Sequence, residues 1–331
     1  MYYIVSARSF FLRALWRRAR EHGTLDGMTA YNFKDSNIRK TWALVTLFFV
    51  GIIGLGWAFS YIYNDQAILI FAVVLSLVMN VGAYWYSDKV ALAVSRAVPA
   101  DPVRYHELHN IVENLAITAG LPKPAVYIIN DPSPNAFATG RNPQHASIAF
   151  TTGILEQLNK TEIEGVAAHE LSHVKNYDIL LSTVVVVLVG VVSLATDFFL
   201  RSMWFGGRRD DRDNGGGILM LVGIVLAILA PIFATLVQLA ISRRREALAD
   251  ASGVLLTRYP DGLADALEKI EMAQPMRHPT NATAHLFIAN PFKADTPRAQ
   301  RKTPWLAKLF MTHPPIEERI AALRAMDRPY A

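Results

Sequence analysis

Four long stretches of the chain carry no charged residue, and the segments between them are mixed and polar. Residues 41–63 and 67–87 are uncharged and separated only by Asn64, Asp65 and Gln66, a pattern that predicts a tight helical hairpin. Residues 179–196 stay uncharged for 18 positions up to Asp197, and residues 217–242 for 26 with Pro231 inside. A bilayer core about 30 Å thick takes about 20 apolar residues of helix, so all four are long enough to span it. The first pair is apolar all round, as helices of soluble proteins rarely are over such lengths, and predicts membrane spans. The second pair, rich in β-branched residues over 183–192, fits a second membrane hairpin or a dry helical hairpin inside a folded domain.

The polar parts are 88–178 and 243–331. Asp101-Pro102 is a helix start, and 103–119 keeps helical spacing up to Gly120 and Pro122. Ala125–Ile129, 135–140 and Ala146–Thr151 are short β-prone runs separated by Asp-Pro-Ser-Pro and Arg-Asn-Pro-Gln turns. Thr161 and Glu164 have the spacing of a capping box that opens the next helix. From Pro260 onward short helical pieces alternate with Pro-rich loops. No repeat recurs at any period of 20 to 50 residues.

Composition agrees with a membrane protein. Of the 331 residues 52% are hydrophobic and 18% charged, against roughly 25% charged in an ordinary soluble domain. Cysteine is absent, which excludes disulfides, a thiol nucleophile and cysteine-ligated zinc, and leaves His, Asp and Glu for any metal. The net charge of +5 is too mild to indicate nucleic acid, and no nucleic-acid partner is expected. Residues 1–40 hold eight Lys or Arg and three acids, whereas the loop 64–66 holds no base. The positive-inside rule then keeps the N-terminus and the segment after Ser87 in the cytoplasm. Residues 12–20 also read as a basic amphipathic helix on the inner leaflet. Arg243-Arg244-Arg245 marks the same side after the fourth span.

Chemistry concentrates in the helix opened near Thr161, which runs into His169-Glu170-Leu-Ser-His173. Histidines four apart lie on one helix face a turn apart and can grip one Zn²⁺. Glu170, beside the first of them, is placed to accept a proton from water while hydroxide attacks a carbonyl. A catalytic zinc takes three protein ligands and keeps a position open. Glu246 in Arg-Arg-Arg-Glu246-Ala-Leu-Ala-Asp250 is the candidate third ligand. Asp250, one turn on, can accept the other ring N–H of a ligand histidine. A solvated ion-pair helix is the plain alternative for that segment. Two crossings separate His173 from Glu246, however, and an even number of crossings returns the chain to the same side. Six residues separate His173 from Ile179 and four separate Ser242 from Glu246, or about 9 and 6 Å of helix. The site is therefore expected within about 10 Å of the membrane surface.

The run His169-Glu-Leu-Ser-His173-Val-Lys-Asn-Tyr-Asp178, then Glu246-Ala-Leu-Ala-Asp250, then Thr312-His313-Pro-Pro-Ile-Glu-Glu-Arg319-Ile resembles the HtpX-type membrane zinc endopeptidases, relatives of the CAAX prenyl proteases. Asn135-Ala-Phe-Ala-Thr-Gly140 is similar to that family's segment upstream of the zinc helix. The resemblance spans about residues 41–325. Residues 1–27 have no counterpart, since such chains begin close to their first span. It implies one Zn²⁺ per chain on His169, His173 and Glu246, with Glu170 as general base. It also suggests His313 as a donor to the oxyanion, or else a cap on the helix from Ile316. Asn135, Ala136, Phe137 and Ala138 suggest an edge strand to which substrate adds in extended form, or a plain hairpin. The remaining histidines, His22, His106, His109, His145, His278 and His285, lack ligand spacing and read as surface residues.

The expected fold is mainly α: an integral membrane protein with about four transmembrane helices and an α+β, zincin-like catalytic domain carrying a short β-hairpin or sheet. Its organisation is a basic segment 1–40, hairpin 41–87, catalytic part 88–178, hydrophobic hairpin 179–242 and catalytic part 243–331. The expected function is a zinc endopeptidase of the bacterial inner membrane, facing the cytoplasm and cutting misfolded or membrane-associated proteins. Its partners are protein or peptide substrates and the lipid bilayer, and no pattern specifies an oligomer. The rivals are a processing protease for one lipidated or membrane-anchored substrate and a non-enzymatic zinc-binding scaffold.

Overall fold

The computed structural model describes residues 30–188, 243–277, 279–280, 283–291 and 315–326. Two long helices come first, α1 (Ala30–Tyr63) and α2 (Gln66–Val94). Asn64 turns the chain at a positive φ of 50°, and Asp65 caps α2 by accepting from the Ala67 amide at 2.9 Å. The hairpin is built inside out relative to a soluble one. The buried residues of α2 are Ala72, Ser76, Asn80, Ala83, Ser87, Ala91 and Leu92, a stripe of mostly small or polar side chains. Trp57, Ile70, Phe71, Leu77 and Val78 are exposed instead. Lipid tails leave no hydrophobic drive between helices, so close packing of small residues joins them. Gly56 shows how close: a Cβ there would fall 2.2 Å from the Cβ of Ala72.

Among the described residues these are the two helices long and apolar enough to cross a membrane, Lys34–Ile62 and Gln66–Val94. The expected third span begins as an apolar helix over Asp178–Leu188, and the expected fourth, 217–242, lies outside the described residues. Leu180, Leu181, Val184, Val185 and Leu188 of that third segment are buried in one cluster with Leu44 and Phe48 of α1.

The polar part follows as β1 (Ala97–Pro99), α3 (His106–Ala119), β2 (Ala125–Ile129), β3 (Ala136–Gly140), β4 (Ala146–Thr151), α4 (Thr152–Gln157) and α5 (Lys160–Lys175). After α5 come α6 (Asp178–Leu188), α7 (Arg243–Thr257), α8 (Pro260–Met272) and α9 (Ile316–Met326). The sheet order is β1-β2-β4-β3, with β2 and β4 parallel and the outer pairs antiparallel. Helix α5 is buried along most of its length, packed against β3, α3, α7 and α8 in one hydrophobic core. A helix lined on every side can hold charged groups only where neighbouring elements supply partners, and α7 and α9 do so.

Three local readings shift. The box that opens α5 is Asn159 with Glu162, two residues before the expected pair: the Glu162 amide donates to Asn159 Oδ1 at 3.0 Å and the Asn159 amide to Glu162 Oε2 at 2.9 Å. Thr161 Oγ1 only donates to Asn159 Oδ1. Asp101 does cap, accepting from Val103 and Arg104, but it caps a separate turn, and the α-helix starts at His106. His285 is not a surface residue: it is buried, with Nε2 3.0 Å from the Ser182 carbonyl oxygen.

Candidate active site

Two helices, α7 and α9, converge on the middle of α5. His169 and His173 stand one turn apart on it, and α7 brings Glu246 and Asp250 alongside. The close approach of these two helices rests on Gly253, where a Cβ would lie 3.1 Å from the backbone nitrogen of His169. Helix α9 adds Arg319.

The nitrogen–carboxylate geometry is that of a cation cage. Nε2 of His169 and Nε2 of His173 face each other at 3.2 Å. Glu246 reaches both, with Oε2 3.7 Å from the first and Oε1 3.7 Å from the second. Each ring's other nitrogen is held by a carboxylate, His169 Nδ1 by Asp250 at 2.9 Å and His173 Nδ1 by Asp178 at 2.9 Å. Rings that donate from Nδ1 turn bare lone pairs toward each other at Nε2, an arrangement that repels until a cation or proton lies between them. Three donors set tetrahedrally at about 2.0–2.2 Å from a zinc ion lie about 3.3–3.6 Å apart, close to the spacings here. His169, His173 and Glu246 form a potential metal-binding group, their ligand atoms within 4.8 Å of one another. The residues fit a divalent ion that favours nitrogen and oxygen donors.

Electrostatics separates the roles. Burial, with Arg319 adding to it, lowers His169 to about 4. Burial lowers His173 as well, but Asp178 and Glu246 outweigh it and raise the ring to about 9. Burial raises Glu170 to about 7, and Glu246 pushes in the same direction against the pull of His173. Asp250 is lowered to about 2 against its burial, by Arg319 and His169. Arg319 binds it through two nitrogens, Nε at 2.9 Å and an Nη at 2.7 Å, while its other Nη lies 3.6 Å from Glu246.

Sequence spacing pointed to His169, His173, Glu170, Glu246 and Asp250, and the fold brings all five together. It gave no role to Asp178 or Arg319. Both lie in the same motifs as the ligand candidates, and a carboxylate five residues past His173 is the one local signal that could have found the first. His313 lies outside the described residues. β3 is an edge strand of the sheet, but its outward groups have partners within the chain. The Ala136 carbonyl accepts from Ile288, Ala138 bonds the Glu170 carboxyl through its backbone, and the Gly140 amide donates to Thr183 Oγ1. Asn135 ties the strand to residue 289, Nδ2 donating to the Ala289 carbonyl at 3.1 Å, and Phe137 is buried edge-on against Phe287.

Two histidines and a carboxylate around one centre, with a further carboxyl of raised pKa beside them, are the marks of a metal-dependent hydrolase. Residues 102–327 match the model of peptidase family M48, and the chain belongs to that family. It is similar to proteins described as "Protease HtpX homolog". That of Caldanaerobacter subterraneus subsp. tengcongensis is 48% identical over 304 residues, covering 90% of this chain and 98% of the relative. That of Syntrophobacter fumaroxidans is 51% identical over 263 residues, covering 78% and 89%. That of Pyrococcus furiosus is 44% identical over 286 residues, covering 86% and 95%. The crystal structure of S. mikatae Ste24p covers 97% of this chain and 74% of its own at a TM-score of 0.45 and 18% identity.

Proposed function

We propose that the chain is a zinc endopeptidase anchored by the α1–α2 hairpin, with its site on the cytoplasmic side, acting on misfolded or membrane-associated proteins of the bacterial inner membrane. The observation that carries this reading is the meeting of His169, His173 and Glu246 beside the buried Glu170. The eight basic residues among 1–40 support the cytoplasmic side, because the polar start of α1 and the end of α2 lie on the side of the sheet and α5.

His169, His173 and Glu246 would hold zinc, which when bound supplies a Lewis acid for the scissile carbonyl and acidifies water. Asp250 and Asp178 fix the two ring orientations. Glu170, with a pKa of about 7, takes the proton of the attacking water on its carboxylate as the new C–O bond forms. It returns that proton to the amine nitrogen as the C–N bond breaks. The backbone bond from Ala138 to Glu170 sets β3 against this acid and holds its carboxyl in place.

The test is hydrolysis of unfolded casein by the detergent-solubilised chain. Cleavage at many sites that stops with chelator and returns with zinc is the expected result. A single cut restricted to one membrane-anchored substrate would replace this reading with that of a dedicated processing protease.

A further inference from the structure

Asn37 lies in the polar first turns of α1, among Lys34, Asp35, Arg39 and Lys40, yet only 1% of its surface is exposed. A buried amide in such a place costs stability unless its hydrogens find acceptors. Both do, and on the same bend of chain. Nδ2 donates to the Asn176 carbonyl at 3.0 Å and to Asp178 Oδ1 at 2.5 Å. The other oxygen of Asp178 holds Nδ1 of His173. An unbroken path of contacts therefore runs from the first membrane helix through Asp178 to a ring whose Nε2 faces that of His169.

The bend itself needs holding. α5 and α6 meet at 84°, and Tyr177 between them sits at a φ of 59°, a left-handed conformation that a bulky side chain rarely adopts. α1 grips it twice, through Asn37 and through Lys34, whose Nζ lies 4.6 Å from the centre of the Tyr177 ring. Arg245 of α7 approaches Asp178 Oδ1 at 3.7 Å from the other side.

We propose that Asn37 is a positioning residue of the metal centre, supplied by the membrane hairpin and acting through Asp178 on the orientation of His173. The inference rests on the reading of His169, His173 and Glu246 as zinc ligands. A shift of α1 along its axis would then be felt at His173, so the seating of the hairpin in the bilayer and the grip on the metal are linked.

The test is zinc affinity of the full chain in detergent, measured by competition with a chromophoric chelator and independent of turnover. Asn37→Leu keeps the γ-branched shape, at a larger volume, and removes the donor. Asn37→Asp keeps the shape and sets a second carboxylate against Asp178. Asp178→Ala should bind zinc about 10 to 100-fold more weakly, and both Asn37 variants about 10-fold more weakly. Thr41→Val, one turn along α1 and hydrogen-bonded only within its own helix, should stay within about twofold of wild type, well below such losses. On an Asp178→Ala background Asn37→Leu should add almost nothing. Should Asn37→Leu lose its cooperative melt, Asn37→Asp carries the same comparison. Affinity equal to that of Thr41→Val, or a full further loss on the Asp178→Ala background, overturns the proposal and leaves Asn37 a packing residue. His173→Ala separates the two readings: if it binds zinc as tightly as wild type, the ligand assignment fails, whereas loss there with none in the Asn37 variants removes Asn37 alone.

Discussion

Asp178 and Asp250 perform the same task on different rings and should respond differently to loss. Glu246→Ala removes one of the three proposed donors and should abolish stoichiometric zinc, read by metal analysis of the purified chain. Asp250→Ala should weaken zinc by about 10 to 100-fold, as losses one step behind the ligands do. It also leaves the Arg319 guanidinium buried beside His169, and stripping one partner from a buried pair costs about 3–5 kcal/mol. Asp250→Asn isolates the charge. The pair's pH behaviour follows from the lowered carboxyl of Asp250. Burial opposes ionisation there, and Arg319 overcomes it to give a value of about 2 against 3.8 in the unfolded chain. Its contribution is therefore complete above pH 3.8 and is lost as the pH falls to about 2. Urea midpoints of chelated wild type and Asp250→Asn should differ by a constant amount at pH 5 and above and converge toward pH 2. A difference that grows with acid would assign the stabilisation elsewhere.

At the scale of elements, the site depends on how closely α7 lies on α5. Gly253 makes no contact with any ligand atom, yet Gly253→Val would wedge a side chain against the backbone of His169. Overpacking of this kind costs about 1–3 kcal/mol, and here it pushes Glu246 away from both imidazoles, so zinc occupancy should fall along with Tm. Loss of Tm with full zinc affinity would show that the two helices can separate without opening the cage.

Element placement followed from local pattern wherever the cause was local. β2 and β4 fall on the expected residues because β-branched runs between Pro-rich turns specify themselves, and the α1–α2 hairpin shows in the absence of charge. The capping box was displaced by two residues because Asn159–Glu162 and Thr161–Glu164 both present a capping side chain three positions before a glutamate, and only the fold selects between them. β1 escaped notice since three residues ending in Pro99 become a strand only by pairing with Ile129, Ile128 and Tyr127. The five motif residues of the site were legible from spacing. Arg319 was not, because its role comes from a partner 69 positions away. The burial of His285 arises from a contact across 103 positions.

For the molecule as a whole, α5 and α7 must face the same compartment, opposite the α1–α2 turn, if His169, His173 and Glu246 are to share one ion. The absence of cysteine makes this simple to measure. Single cysteines at Lys160 and Arg258 should be shielded from a membrane-impermeant reagent in intact spheroplasts, and one at Gln66 should react. Opposite labelling of Lys160 and Arg258 would contradict the donor set, since ligands on α5 and α7 could not meet. Zinc should also hold the two halves together. Saturation at about 100 times the dissociation constant adds about 2.7 kcal/mol to stability, so chelation should lower Tm in wild type and leave His173→Ala unchanged. If zinc held by His169, His173 and Glu246 acts together with Glu170 as base, casein cleavage and zinc content measured side by side in wild type and Glu170→Gln will separate the two roles. One zinc per chain is expected in both, with a loss of turnover of at least about 10²-fold in the variant, the scale of a general base. Unchanged turnover, or loss of the metal with Glu170, would contradict this assignment.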